Sequence, residues 1–159
     1  MAIEFKMADK YYRMMLAYDK LVKVGTNTGN SISISEAKEA VEDFFSHCYH
    51  FKDWLIKEHP NLKQAIEGHI SSSFALSLAA DHCNAFKHGG LDKPPRSGHK
   101  LDAINQHTKI DTTPAGFQCS AKVVLTVGGQ TYQAILIADD CVKAWKSFMR
   151  ANNIKVPPH

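Results

Sequence analysis

Ala80-Asp81-His82-Cys83-Asn84-Ala85-Phe86-Lys87-His88-Gly89-Gly90 closes a long, mostly apolar run and decides how the chain is read. Asp81, Asn84, Lys87 and His88 follow three- and four-residue spacing, so on a helix they share one face. Asn84 stands one turn before both Lys87 and His88. The three can therefore point at one small anion or at each other. Gly89 and Gly90 then stop the helix, because glycine tolerates the left-handed backbone that a C-terminal cap needs. The stretch marks a place for chemistry without naming a reaction.

Upstream, the apolar run is helical back to Asn61. Gly68 interrupts it, and glycine costs about 1 kcal/mol in a helix interior. The expectation over 61–88 is a short helix to Glu67, a bend, and a main helix from His69. Ile70, Phe74 and Leu78 form one apolar row of that helix; Ser73, Ser77, Asp81, Asn84 and His88 form a polar one. Before it, 35–57 reads as a helix with a buried face of Ala37, Val41, Phe44, Cys48, Phe51 and Leu55. Ser33 and Glu36 make a capping-box pattern at its start, with Ser35 a competing cap. A second row holds Asp43, His47, His50 and Trp54, with Asp53 one turn after His50. The first helix spans about 6–24, on a seam of Met7, Tyr11, Met14, Tyr18 and Leu21, and Gly25 ends it.

Downstream, Leu91 to Gly116 reads as a long connection. Lys93-Pro94-Pro95-Arg96-Ser97-Gly98-His99 cannot form regular structure, and a little helix fits around 101–108. Two β-rich runs around Gly128-Gly129 then predict a tight hairpin over about 118–138. Asp139 or Asp140 caps a last helix, about 139–151, whose buried face is Val142, Trp145, Phe148 and Met149. Residues 152–159 form a tail. The fold class is mainly α: one domain over 1–159, an up-and-down helical bundle with a β-hairpin inserted before its last helix.

Composition narrows the classes. Apolar residues are 44% and charged residues 22%, the balance of a globular chain and not of a disordered or fibrous one. No apolar run spans a bilayer and the start has no signal-like segment, so no membrane association and a cytoplasmic location are expected. The four cysteines form no Cys-x-x-Cys pair and are read as reduced. From Lys87 to Lys100 stand Lys87, Lys93, Arg96 and Lys100 against Asp92 alone. A basic loop beside a polar helix end suits a phosphate-bearing partner, although a solvated loop explains the charges equally.

These features resemble the HEPN superfamily, small helical bundles that include metal-independent ribonucleases of toxin and defence systems. Its nuclease members carry Arg-Asn-x-x-x-His near a helix end. Here Cys83-Asn84-Ala85-Phe86-Lys87-His88 has the Asn and the His and lacks the Arg. The stretch Tyr49-His50-Phe51-Lys52-Asp53-Trp54-Leu55, followed by Asn84-x-x-Lys87-His88, also looks like a group of uncharacterised bacterial helical-bundle proteins of about this length. The HEPN resemblance implies that His88 activates a ribose hydroxyl or protonates a leaving oxygen, and that Asn84 orients His88 or the phosphate. Lys87 or Arg96 would stand in for the missing arginine fork. The resemblance also implies RNA as partner and a homodimer with helix-end motifs facing each other.

The expected site is therefore His88, Asn84 and Lys87 as the catalytic group, with His50, Asp53, Asp81 and Arg96 binding, and neither metal nor cofactor. Blander readings stand beside it. Asn84 and His88 can simply cap a helix end, and His50 with Asp53 can be a surface pair. A zinc site of His47 and His50 with Asp81 or His88 lacks motif spacing. Cys83 as nucleophile lacks a base on its own face. The two functional classes left open are an RNA-acting enzyme and a non-catalytic bundle that binds RNA or a protein partner.

Overall fold

The computed structural model describes residues 3–26, 33–88, 94–99, 101–114 and 116–159, and their side chains except at 26, 86–88, 101, 102, 106–113 and 117–121. The helices are α1 (Met7–Thr26), α2 (Ile34–Glu58), α3 (Lys63–Ser72), α4 (Phe74–His88) and α5 (Ala134–Ala151), with a short 3-10 turn at Pro60–Leu62. The strands β1 (Leu101–Thr113), β2 (Gly116–Val127) and β3 (Gln130–Gln133) form one antiparallel sheet in the order β1-β2-β3. The protein is thus mainly helical, with a small sheet before the last helix. Among the described residues no helix is long and apolar enough to cross a membrane.

Helix periodicity placed most of the core correctly, but Phe74, expected in one apolar row with the buried Ile70 and Leu78, is exposed. Ala37, Val41, Phe44, Cys48, Phe51 and Leu55 of α2 are all buried, against Tyr11, Met14 and Leu21 of α1. Trp145 of α5 sits at the centre, wholly buried. Its ring meets Phe51 edge-on at 5.4 Å, and its indole N–H donates to the Cys48 carbonyl at 3.1 Å. That bond satisfies the one polar atom of an otherwise apolar ring. The α2 start is the expected capping box: the Glu36 N–H donates to Ser33 Oγ at 3.2 Å, and the Ser33 N–H donates back to the Glu36 carboxylate at 2.9 Å. Ser35 lies inside the helix.

Several boundaries differ from expectation. α1 runs through Gly25 to Thr26. α3 continues through Gly68, and the break falls at Ser73, whose backbone is extended. Ser73 wins because it can cap: the Leu76 N–H donates to its Oγ at 3.2 Å and the Ser77 N–H to its carbonyl at 2.9 Å. Gly68 has no such capacity and meets no steric demand, since a Cβ there would touch nothing within 4 Å.

The largest correction is β1. The stretch read as connection and short helix is a strand of 13 residues, paired with β2 from Leu101↔Val127 to Thr113↔Gly116. Its polar composition hid it, because its order comes from a partner strand and not from its own periodicity. The second hairpin does turn at Gly128-Gly129, both with positive φ (55° and 79°). β3 is only four residues long, however, and α5 begins at once at Ala134. Ala134, Ile137, Ala138, Cys141, Val142, Trp145 and Phe148 recur at helical spacing and are all buried. That burial outweighs the β preference of Ile135 to Ile137. Asp139 is therefore no cap; it accepts a short hydrogen bond from the Tyr18 hydroxyl, tying α5 to α1.

Candidate functional site

Glu39, Asp43, Ser46, His50 and Asp53 recur on α2 at alternating four- and three-residue spacing, which makes one continuous stripe. With Glu42, Tyr49 and Lys52 beside them, they form one wall of a groove of about 760 Å³. His82, Cys83 and Asn84 of α4 form the other. The structure thus brings together His50, Asp53 and Asn84, three of the seven residues singled out from the sequence. The side chains of Lys87 and His88 lie outside the described residues.

Asp81 and Arg96 take another course, absent from the described lining. The Asp81 carboxylate is buried. It accepts from the Arg96 N–H at 2.7 Å, the Ser97 N–H at 2.9 Å and the Ser97 hydroxyl at 2.7 Å. It is the anchor of the segment Pro94–His99. The Arg96 guanidinium donates to Glu67 at 3.0 Å, and Glu67 also meets Lys52 at 3.3 Å. Burial raises the Glu67 carboxyl, but the hydrogen bond from Arg96 and the charge of Lys52 outweigh it and hold Glu67 below its usual range. Burial likewise works against the Lys52 ammonium, yet Asp53 at 3.1 Å, Tyr49 and Glu67 keep its pKa raised. The segment Pro94–His99 is therefore pinned to α3 and α4 by acidic side chains, and its Arg96 is already engaged.

The groove itself is acidic. Among its described lining side chains, Glu39, Glu42, Asp43 and Asp53 set four carboxylates against the single ammonium of Lys52. Lys20 of α1 lies 3.5 Å from Glu39 and 3.7 Å from Asp43, both exposed pairs of little strength. The Nδ1 atom of His50 stands 2.8 Å from the Ser46 carbonyl, so in the neutral ring Nδ1–H donates and Nε2 keeps its lone pair. His82 packs its ring against Phe45 at 5.6 Å, and its Nε2 is buried without a hydrogen-bond partner. Burial lowers its pKa, and Glu42 opposes that only in part.

The other readings resolve on the same geometry. Burial, and then Cys48, push the Cys83 thiol up to about 12, so it stays protonated and poorly nucleophilic at neutral pH. His47 does not line the groove. Burial lowers its pKa, Asp43 opposes that, and Lys10 and Arg13 of α1 add to it. Among the described residues no group of three His, Cys, Asp or Glu side chains is placed to hold a metal ion.

Sequence reading missed Glu39, Glu42, Ser46, Tyr49, Lys52 and His82 in this groove. The signal for three of the lining residues was present: extending the His50–Asp53 pair backwards at helical spacing gives Ser46, Asp43 and Glu39. His82 carried no such signal, since it sits off the polar row of α4. No family model, no curated protein and no solved structure matches this chain.

Proposed function

We propose that this chain is a HEPN-like helical bundle that acts by binding and not by catalysis, with the groove between α2 and α4 as its interaction surface for a partner protein. One observation carries this reading: four carboxylates and one ammonium line the described part of the groove. Such a wall repels polyphosphate and attracts a donor-rich, cationic segment. The engagement of Arg96 by Glu67 points the same way, and no arginine stands among the described lining of the groove to serve as the phosphate clamp of the nuclease motif. The homodimer implied by the family resemblance belongs to this reading as well.

A second reading rests on Asn84, which lines the groove beside His50 and Asp53 as an RNA-acting site requires. In it, Asn84, Lys87 and His88 act together on RNA without metal. One experiment separates the two. The purified chain is incubated with total RNA in chelator, and in parallel its binding to RNA is titrated at low and moderate salt. Inert RNA and no saturable binding support the protein-binding reading. Metal-independent cleavage that is lost in Asn84→Ala establishes the RNA-acting one.

A further inference from the structure

The approach to α1 and its first turns carry most of the exposed apolar surface of the described chain. Ile3, Phe5, Tyr12 and Leu16 are four of the seven large apolar side chains left exposed, and Ile3, at 82%, is the most exposed of them. Single apolar residues on a surface need no explanation, but a run of them edged by cations does.

The cations beside this edge are held by rings and not by carboxylates. The Lys10 ammonium lies 5.9 Å from the centre of the Phe5 ring and 5.1 Å from that of Trp54. The Arg13 guanidinium lies 5.7 Å from Phe5, and the Lys57 ammonium 4.8 Å from Trp54. Such contacts place a cation without neutralising it. Among the described residues, none of Lys6, Lys10, Arg13 and Lys57 forms an ion pair. Two nearby acids are engaged elsewhere. Glu58 accepts from the Met7 N–H at 2.6 Å and Asp9 from the Lys6 N–H at 2.7 Å, which satisfies free N–H groups at the start of α1. None of these side chains lines the groove between α2 and α4.

We propose that this edge docks on an anionic phospholipid surface. Ile3 and Phe5 enter the headgroup layer, Trp54 lies at its boundary, and Lys6, Lys10, Arg13 and Lys57 meet the lipid charges. The expectation of no membrane association rests on the lack of a spanning run, and among the described residues no helix is long and apolar enough to cross a membrane. Lying on a bilayer makes a smaller demand: a few apolar side chains that protrude, with cations beside them. Charge complementarity selects an anionic surface, since four unpaired cations stand on one edge. The apolar residues select lipid over the other polyanions. A nucleic-acid strand stacks its bases on open ring faces. Here the Phe5 and Trp54 rings already carry the protein's own cations. An acidic peptide would use the cations and leave Ile3 in water.

This inference stands apart from the groove, and its test does not depend on groove binding. The full chain is mixed with phosphatidylcholine vesicles, with and without phosphatidylserine, and the bound fraction is measured by flotation. Binding is expected only where phosphatidylserine is present, and should fall as salt rises. Trp54 reports the contact: its emission should shift to the blue and be quenched by brominated lipid, while the wholly buried Trp145 stays constant. Arg13→Glu with Lys57→Glu should lower binding by about tenfold or more, each reversal replacing an attraction by a repulsion. Ile3→Ser with Phe5→Ser should lower it by about tenfold with the charge unchanged. Circular dichroism checks that both variants remain folded. Should either fail to fold, quenching of Trp54 in the unaltered chain decides alone. No binding to phosphatidylserine vesicles at low salt overturns the proposal. So does equal binding to neutral vesicles, binding indifferent to both pairs of substitutions, or an unchanged Trp54 emission. Binding of poly-U or of polyglutamate through Arg13 and Lys57, with vesicles left unbound, also overturns it and assigns the edge to nucleic acid or to an acidic peptide.

Discussion

The hydroxyl and the backbone N–H of Ser97 both donate to one carboxylate oxygen of Asp81, at 2.7 and 2.9 Å, while the Arg96 N–H takes the other oxygen at 2.7 Å. A residue that looked like part of a binding face is thereby the fastening of a loop. Asp81→Ala leaves those donors without their acceptor in a part-buried place, and is expected to cost about 3 kcal/mol. Urea unfolding of the variant measures it. A loss below about 0.5 kcal/mol would show that the clasp contributes nothing to stability.

His82 makes stability depend on pH. Burial lowers its folded-state pKa below the unfolded value of about 6.5. Its contribution is then fully present above that unfolded value and is lost as pH falls through it toward the folded pKa. His47 is shifted in the same direction by burial and adds to the trend. The denaturation midpoint of the native chain should fall between pH 7.5 and 5, and His82→Phe should flatten part of that fall. An identical pH profile in the variant would exclude His82 as a source.

Gly128 is held by two demands at once. Its φ is +55°, and a Cβ there would meet His99 Nδ1 at 2.7 Å. Gly129 has a positive φ of 79° but open space around it. Gly128→Ala is therefore expected to cost about 2 kcal/mol or more, and Gly129→Ala about 1 kcal/mol. Thermal unfolding of the two variants side by side gives the order. Equal losses would mean that His99 moves aside freely.

The thiol of Cys83 is pushed up to about 12, and Cys48 and Cys141 are buried, with burial and the Cys48 contact raising Cys141 well above its ordinary value. In a Cys119→Ser variant, a thiol reagent at pH 8 should find these three cysteines nearly unreactive until denaturant is added. Rapid native labelling of Cys83 would revive it as a nucleophile.

Much of the fold was legible from residues alone. The apolar seams of α1, α2 and α5 name their buried faces because helical period converts directly into a direction in space. The Ser33–Glu36 box and the Gly128-Gly129 turn are equally local, each made by atoms a few residues apart. The row through His50 and Asp53 was legible too, and both do line the groove with Asn84. Tertiary structure decided what local pattern cannot carry. β1 is a strand because β2 lies beside it, and its own sequence shows little alternation. Asp81 and Asn84 share a polar row, yet only Asn84 lines the groove, because the segment Pro94–His99 folds back and claims Asp81. Arg96 of the basic loop is engaged for the same reason: Glu67 is 29 residues away in sequence and 3.0 Å away in space. Charge can be counted along a chain, but whether a charge is free or already paired depends on which distant segments pack against it.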